Sequence, residues 1–498
     1  RFLMDCMAEA FFGRDEELSR LLEFVDSERS GFLVVRGRRR IGKSWLLAQL
    51  ANQVSAFSFQ GDQDSSTQSL IRKFAQEWAQ FTGDDSLSII RAVDLNWVRV
   101  FRAMTQYFRA NQKQTYVIVL DEIQWIAKRK SGFLSQLKEI WVEWEQMGNV
   151  KVIICGSSQR FFVSNTQSET SVLYRMRTVA DLWVRPFSPT EIRRHYFPDW
   201  TDEQICLVFM MTGGVPYYLE RIPKNDNFIR AINRTFFTQN TIFLDEFREV
   251  INLEFTKESA RTAEKIMASL GQDGSTMKNI RKKSGITSES TVRTMIDQLL
   301  EFDIVNEKTQ AGIAKANRRG SKYYLKDPFL NFYFQILKGF APRIRKNVRA
   351  NLFRECIGSK TGYYIENFSG KAFELITEWV LRQELSPVGN EKILKKLEIR
   401  DDDYEVGHHW VEGKTQVDLV VENKADRESR LLELKWISGK ADLGAGYLEQ
   451  VREKDYSPSK GWTISYHLIL SGEASTPLKK SAKAAKVQIL GLSDLFEE

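Results

Sequence analysis

The chain has 498 residues, too many for one ordinary core at about 100–200 residues per domain, so about three domains are expected. It is 42% hydrophobic with a mean hydropathy of −0.37, and no apolar run approaches the roughly 18 residues that span a membrane, which excludes a helical membrane protein. A net charge of +7 and a pI near 9.0 permit a polyanionic partner without establishing one, because the excess is thinly spread.

The opening RFLMDCMAEAFFGRDEEL lacks the basic start, apolar centre and small-residue cleavage site of a signal peptide, so a cytoplasmic protein with no membrane partner is expected. The chain opens on Arg1 rather than Met, which leaves room for a start further upstream. Cys6, Cys155, Cys206 and Cys356 lie far apart, with no CxxC pair or histidine cluster beside them. That spacing argues against a zinc site or a disulfide framework and for plain buried thiols.

Residues 31–50, GFLVVRGRRRIGKSWLLAQL, combine an apolar strand, the loop GRRRIGKS and an amphipathic helix. This is GxxxxGK followed by Ser, in the strand–loop–helix setting that the motif requires. Nucleotide binding is therefore assigned to Gly37, Arg38, Arg39, Arg40, Ile41, Gly42, Lys43, Ser44 and Trp45. Loop N–H groups and the helix N-terminus face the phosphates, Lys43 reaches the β and γ oxygens, and the Ser44 hydroxyl ligates Mg²⁺. The three arginines at 38–40 have a plainer alternative, a solvated loop tip.

Residues 116–122, YVIVLDE, supply an apolar strand ending in acids. Asp121 is expected to hold Mg²⁺ through water, and Glu122 to orient or deprotonate the attacking water, which favours hydrolysis over binding alone. The strand VKVIICGSS ends in Ser157 and Ser158, where P-loop ATPases with this strand order carry a γ-phosphate sensor. Two turn serines are the alternative.

Together FFGRDEEL, GRRRIGKS, VLDEIQW, ICGSS, LYRMRT, RPFS and GGVPYYLE resemble the AAA-like and STAND P-loop ATPases, in particular the prokaryotic "archaeal ATPase" branch, over most of residues 10–225. The resemblance implies that Gly13 and Arg14, with Gly214 and Pro216, lie near the base and ribose of ATP. It also implies that Arg175 or Arg177 acts as an arginine finger, in cis or in trans, the latter requiring a homo-oligomer. A surface helix position is the alternative for either arginine.

From 257 to 326 the pattern changes to three short helices and a basic hairpin, the order of a winged helix. Thr287 or Ser288 caps the third helix, Gly285 occupies the turn before it, and Val292, Met295, Ile296, Leu299 and Leu300 recur at helical spacing. Arg293, Arg318, Arg319 and Lys322 are the candidate DNA contacts. A lid or packing role is the alternative. The run YYLKDPFLNFYFQIL reads as a packed helix, and KGFAPRIRKNVRA as a partly exposed connection.

Near the end, LLELKW places Glu433 and Lys435 on one face of an apolar strand, and TQVDLVV carries Asp418 15 residues before Glu433. A hairpin joins the three. The preceding helix offers Glu374 and Glu378 one turn apart, with EVGHHWV between. This order resembles the PD-(D/E)XK nuclease fold, and with YYLKDPFLNFYF before it, the branch of the archaeal-type ATPases that ends in a domain of unknown function assigned to that superfamily. Val417 stands where the superfamily has Pro.

On that resemblance Asp418, Glu433 and Glu374 ligate Mg²⁺ or Mn²⁺ and Lys435 orients the nucleophile, while a structural ion pair is disfavoured by the cost of burying it. Gln450 matches a position where related nucleases use Gln, though a surface Gln is the plainer reading. His408 and His409 read as ordinary strand residues.

The expected fold class is multidomain α/β: a P-loop AAA-like ATPase, a winged helix and a C-terminal restriction-endonuclease-like α/β domain. The expected boundaries are 1–190 for the ATPase core, 191–256 for a helical lid, 257–335 for the winged helix, 336–360 for a linker and 361–498 for the nuclease-like domain. The function expected is ATP hydrolysis coupled to metal-dependent DNA processing. A non-cleaving, ATP-controlled nucleic-acid switch or scaffold is the alternative.

Overall fold

A computed structural model describes residues 13–87, 89–91, 93–128, 130–166, 179–271, 273–308, 321–347, 351–358, 363–384, 391–399, 404–411, 415–454, 456 and 461–496. The chain divides into two compact units between Arg185 and Pro186.

In the first unit β1 (Gly31–Arg36), β2 (Ala56–Gln60), β3 (Tyr116–Asp121), β4 (Val150–Gly156) and β5 (Val179–Trp183) form a parallel sheet in the order β2-β3-β4-β1-β5. The runs in β1, β3 and β4 are almost continuously apolar because a parallel sheet is covered on both faces, so no alternation is needed. Helices Thr67–Thr82, Trp97–Ala110 and Phe133–Met147 contribute to the core through Phe74, Trp78, Phe108, Phe133 and Trp144. The first two start on side-chain caps from Ser66 and Asn96. Lys151 in β4 is a buried charge on an otherwise apolar strand; its ammonium donates to the Ser27 carbonyl at 2.6 Å, and also to the Ser27 hydroxyl and the Arg29 carbonyl. These bonds let a lysine stand where the pattern asks for an aliphatic residue.

The second unit begins with helices including Pro189–His195 and Asp202–Thr212, each opened by a capping box, from Ser188 and Thr201. Gly213 and Gly214 follow, both at positive φ. A Cβ on Gly214 would drive into the Phe187 carbonyl, and Phe187 N donates to Gly214 O at 2.9 Å. The RPFS and GGVP motifs thus meet in one tight turn that only glycine fits.

Next come helices Lys257–Ser269, Met277–Ser284 and Glu289–Glu301, capped by Thr256, Thr276 and Ser288, with Gly285 at φ +70° ending the second. Strands β6 (Val305–Lys308) and β7 (Lys322–Leu325) pair antiparallel, and Ser275 bridges to Tyr323 as a third edge. The stretch expected to be a linker is itself helical over Lys338–Arg345 and Leu352–Gly358, because Ala341, Ile344, Leu352, Phe353 and Cys356 are buried.

The C-terminal sheet has the order β14-β12-β10-β9-β8, built from β8 (Glu405–Val411), β9 (Thr415–Asn423), β10 (Glu428–Lys435), β12 (Thr463–Leu470) and β14 (Val487–Gly491); the short β11 (Lys440–Ala441) and β13 (Glu473–Ala474) pair separately. β8, β9 and β10 form an antiparallel meander, while β10, β12 and β14 are parallel. Helix Ala445–Arg452 lies between β10 and β12 in sequence, Thr476–Ala484 between β12 and β14, and helix Tyr363–Leu381 packs against β9 and β10. The protein is thus an α/β chain of two compact units, the first built on a five-stranded parallel sheet and the second carrying a mixed five-stranded sheet. Cys155, Cys206 and Cys356 are buried free thiols; Cys6 lies outside the described residues.

Candidate functional site

In the first unit, β4 sits between β1 and β3, so the ends of these strands bring the P-loop, Asp121, Glu122 and Ser157 to one crevice. Gly42, at φ +95°, is the N-cap of helix Lys43–Gln53, which Lys43, Ser44 and Trp45 open. Lys43 is buried, and its ammonium donates to the carbonyls of Gly37 (2.8 Å) and Arg38 (2.9 Å). Burial draws its pKa below the ordinary lysine value. Gly37 packs so closely that a Cβ would come within 2.5 Å of the Val184 carbonyl.

The carboxylate of Asp121 accepts the Glu122 N–H at 2.8 Å. Glu122 adopts φ +50°, a left-handed conformation rare outside glycine, of the kind that concentrates at functional sites. Its carboxylate accepts from Gln124 and, at 3.3 Å, from the Ser157 hydroxyl. Burial, then the charge of Asp121, raises the Glu122 pKa, which suits a group that must take up a proton. Ser157 faces Glu122, while Ser158 accepts Phe161 N–H at 3.2 Å near the start of helix Gln159–Thr166.

Arg14 is buried, pairs with Glu17 at 2.8 Å and donates to the Ile41 carbonyl at 3.2 Å, tying the GRDEE box to the P-loop. Gly13, at φ +67°, precedes it. Glu17 and Gln124 were not singled out from sequence, although Glu17 stands at the i+3 spacing of a helical ion pair. Arg175 and Arg177 lie outside the described residues. Pro216, in the second unit, starts helix Pro216–Leu219 just after the Gly213–Gly214 turn.

In the second unit, pairing of Leu432 with Leu419 places Asp418 beside Glu433 across the β9–β10 ladder. Asp418 is buried and accepts the Leu434 N–H at 2.9 Å. Burial, with the charges of Glu374 and Glu433, pushes its pKa up to about 7. Glu433 accepts from the Tyr447 hydroxyl at 2.7 Å, from Lys435 at 3.0 Å and from Lys454. Burial works against its charge, but the two lysines and the hydroxyl hold its pKa below the usual value.

Glu374 is paired with Lys371 at 2.5 Å and Lys308 at 3.6 Å. Glu378 goes elsewhere: it accepts from Arg382 at 2.9 Å and Tyr324 at 3.2 Å, and lies 3.3 Å from His408. Burial opposes its charge, but His408 and Arg382 together bring its pKa down to about 2. His408 is therefore more than a strand filler; its Nδ1 lies 2.7 Å from the Asp418 carbonyl, joining Glu378 to β9. His409 packs edge-on against Tyr456, and Gln450 is exposed.

Glu374 and Glu433 thus stand close enough to raise Asp418, and the three together offer oxygen donors whose chemistry suits Mg²⁺ or Mn²⁺. With two of them held by lysines, however, no three acids, histidines or cysteines among the described residues are placed to grip an ion. Lys308, Lys371, Lys454 and Tyr447 were missed from sequence; only Lys371, three residues before Glu374, left a local signal.

Of the candidate DNA contacts, Arg293 pairs with Glu289 at 3.6 Å on an exposed face, and Lys322 lies over Trp410 of β8, 5.3 Å from the ring centroid. Arg318 and Arg319 lie outside the described residues. No helix among the described residues is long and apolar enough to cross a membrane.

Residues 11–222 match a family model described as an ATPase domain predominantly from Archaea. An uncharacterized protein of Methanocaldococcus jannaschii is 25% identical over 429 residues, 86% of this chain and 87% of that protein. A Walker-type ATPase of Pyrococcus abyssi superposes with a TM-score of 0.50 at 18% identity, covering 66% of this chain and 96% of its own. A STAND protein with a tetratricopeptide repeat sensor from Pyrococcus horikoshii gives a TM-score of 0.31 at 15% identity, over 79% of this chain and 57% of its own. The family match and the P-loop crevice together support ATP binding and hydrolysis by this region.

Proposed function

We propose that this chain is an ATP-hydrolysing protein coupled to a metal-dependent, DNA-directed nuclease-like domain, a design suited to regulated DNA processing or defence against foreign DNA. The observation that carries the ATPase part is the meeting of Lys43, Asp121, Glu122 and Ser157 at the ends of β1, β3 and β4. Lys43 exchanges its two loop carbonyls for phosphate oxygens, and Gly37–Trp45 cradle the rest of the triphosphate. Ser44 and Asp121 would hold Mg²⁺, which neutralises phosphate charge when bound. Glu122, with its raised pKa, takes a proton from the attacking water, while Ser157 positions its carboxylate. Gly13, Arg14, Gly214 and Pro216 are assigned to the base and ribose side, and Arg175 or Arg177 to a finger that acts in cis, or in trans within a homo-oligomer.

The nuclease-like reading is supported by the mixed sheet, with Asp418 on β9 and Glu433 and Lys435 on β10, and by the nearby Glu374. With the lysines on Glu374 and Glu433 exchanged for it, these acids would hold Mg²⁺ or Mn²⁺, which would supply an activated water and charge neutralisation. Lys435, half-exposed beside Glu433, orients the nucleophile. The three helices with β6 and β7 are read as a winged helix, with Arg293, Arg318, Arg319 and Lys322 as its phosphate contacts.

The test is incubation of the wild type, Glu122→Gln and Asp418→Asn with plasmid, linear and single-stranded DNA, with Mg²⁺ or Mn²⁺, with and without ATP. Cleavage by the wild type and not by Asp418→Asn, with ATP turnover equal in the two, is the expected result. A second reading, a nucleic-acid-binding switch that does not cut, is favoured by the lysines already seated on Glu374 and Glu433. ATP hydrolysis with DNA binding and no cleavage under any of these conditions would select it.

A further inference from the structure

Glu122 holds a backbone conformation, φ +50° and ψ +47°, that residues with a Cβ seldom adopt, so its neighbours have to hold it there. Part of that support comes from β2. Gln60 pairs with Asp121 in the β2–β3 ladder, and Gly61, one residue beyond β2, donates its N–H to the Asp121 carbonyl at 2.9 Å. The Glu122 carbonyl lies so close over Gly61 that a Cβ there would come within 2.6 Å of its oxygen, with Ile126 Cγ1 at 2.9 Å and Trp125 Cβ at 3.1 Å. The same carbonyl accepts the Trp125 N–H at 2.9 Å, which fixes its direction. Gly61 is itself not at positive φ; close approach is what requires a glycine there.

On the other side of β3 a second glycine makes room for a side chain. Gly156 ends β4, and a Cβ on it would come within 2.5 Å of Gln124 Oε1 and 3.2 Å of both Ile123 Cγ2 and Phe162 Cε2. Gln124 occupies that space with its amide donating to the Glu122 carboxylate, while its buried Oε1 has no hydrogen-bond partner. A buried oxygen left unpaired is costly, so the pose is set by the bond to Glu122 and by the room over Gly156. Ser157, next in the chain, supplies the second bond to that carboxylate, at 3.3 Å.

We propose that Gly61 and Gly156 are positioning residues for ATP hydrolysis: Gly61 sets the backbone from which Glu122 reaches the nucleotide, and Gly156 seats the Gln124 amide that fixes the carboxylate. The inference rests on the reading of Glu122 as the base. The atoms closest to either added Cβ belong to Glu122, Ile123, Gln124, Trp125, Ile126 and Phe162, none of them in the P-loop. The effect of the two glycines therefore falls on turnover and not on capture of the triphosphate. They also differ in kind. A methyl at Gly61 meets a backbone oxygen that cannot turn aside unless the Glu122 turn moves, whereas one at Gly156 meets the end of a side chain.

The test uses the full-length chain, with ADP affinity measured by calorimetry and kcat and KM by phosphate release. Gly61→Ala is expected to lower kcat about 100-fold, the cost of a displacement near 1 Å at a reacting group, with KM and ADP affinity within about twofold of the wild type. Gly156→Ala is expected to lower kcat about tenfold, again with binding unchanged, because the Gln124 end can partly give way. In the Glu122→Gln background, read as single-turnover phosphate release, Gly61→Ala is expected to add no further loss, since the group it positions is gone. Gly156→Ala likewise costs nothing more once Gln124→Ala has emptied the space over it. Thermal melts by circular dichroism establish that each variant is folded; should Gly61→Ala fail to fold, the pair Gly156→Ala and Gln124→Ala decides.

Wild-type kcat in folded Gly61→Ala and Gly156→Ala overturns the proposal. So does a loss of ADP affinity that matches the loss of kcat, or an equal loss of turnover with and without Glu122, either of which makes the glycines parts of the scaffold alone. Wild-type turnover by Glu122→Gln overturns the base itself, and the positioning with it.

Discussion

The two candidate sites of this chain use the same ingredients, acids at strand ends and a lysine beside them, and neutralise them in opposite ways. At the P-loop, Lys43 is bonded to the backbone carbonyls of Gly37 and Arg38, which carry no net charge, so an incoming phosphate replaces only dipoles. At the C-terminal sheet, lysines sit directly on the acids: Lys371 and Lys308 on Glu374, Lys435 and Lys454 on Glu433. There a ligand must exchange one full charge for another. The presence of Asp, Glu and Lys at the right spacing therefore says what a site can bind, while the partner chosen by the lysine says how readily it binds.

The sharpest way to break this contrast is at Lys43 and Glu122. Lys43→Ala is expected to weaken ATP binding at least about 100-fold by calorimetry. Glu122→Gln should keep ATP affinity and lose about 10³-fold in turnover, near 4 kcal/mol of barrier, measured by phosphate release. If Glu122→Gln hydrolyses ATP as the wild type does, the base is elsewhere. Because the Glu122 pKa is raised, the acid limb of the rate profile should lie above the ordinary glutamate value of 4.5, activity falling as Glu122 is protonated.

Next in size is the pH response of Asp418. A carboxyl with a folded pKa of about 7 against an unfolded 3.8 binds its proton more tightly when folded. Its contribution to stability is therefore greatest below about pH 4 and is lost as pH rises toward about 7. Asp418→Asn should flatten this dependence and be more stable than the wild type at pH 8, by at most about 4 kcal/mol. Urea unfolding at pH 4, 6 and 8 checks it; a wild-type stability that rises across this window with no change on substitution would mean that Asp418 is already paired.

Smaller effects test the supports of each region. Gly214→Ala forces a Cβ at φ +66° into the Phe187 carbonyl and should cost about 2–3 kcal/mol, seen as a lowered Tm. Arg14→Ala removes the hydrogen bond to Ile41 and should cost about 1–2 kcal/mol while raising the Kd for ATP only a few-fold. A loss of ATP binding as large as that of Lys43→Ala would instead make Arg14 a direct ligand.

Much of this was legible in the sequence, for local reasons. The apolar runs GFLVV, YVIVL and VKVIIC announce buried parallel strands, and Gly42 followed by Lys43 and Ser44 marks the turn into a helix, because these depend on residues within one strand and one turn. The strict two-residue period of a strand likewise put Glu433 and Lys435 on one face, and the β9–β10 hairpin brought Asp418 to them. What tertiary structure alone decided is which charge each charge meets. Lys454 reaches Glu433 from 21 residues away and Lys308 reaches Glu374 from 66, with no periodicity linking either pair, and Glu378 parts from Glu374 although they share a helix face. Backbone patterns are set by neighbours in the chain; ion pairs are set by which buried carboxylate a long, flexible side chain can reach once the elements have packed.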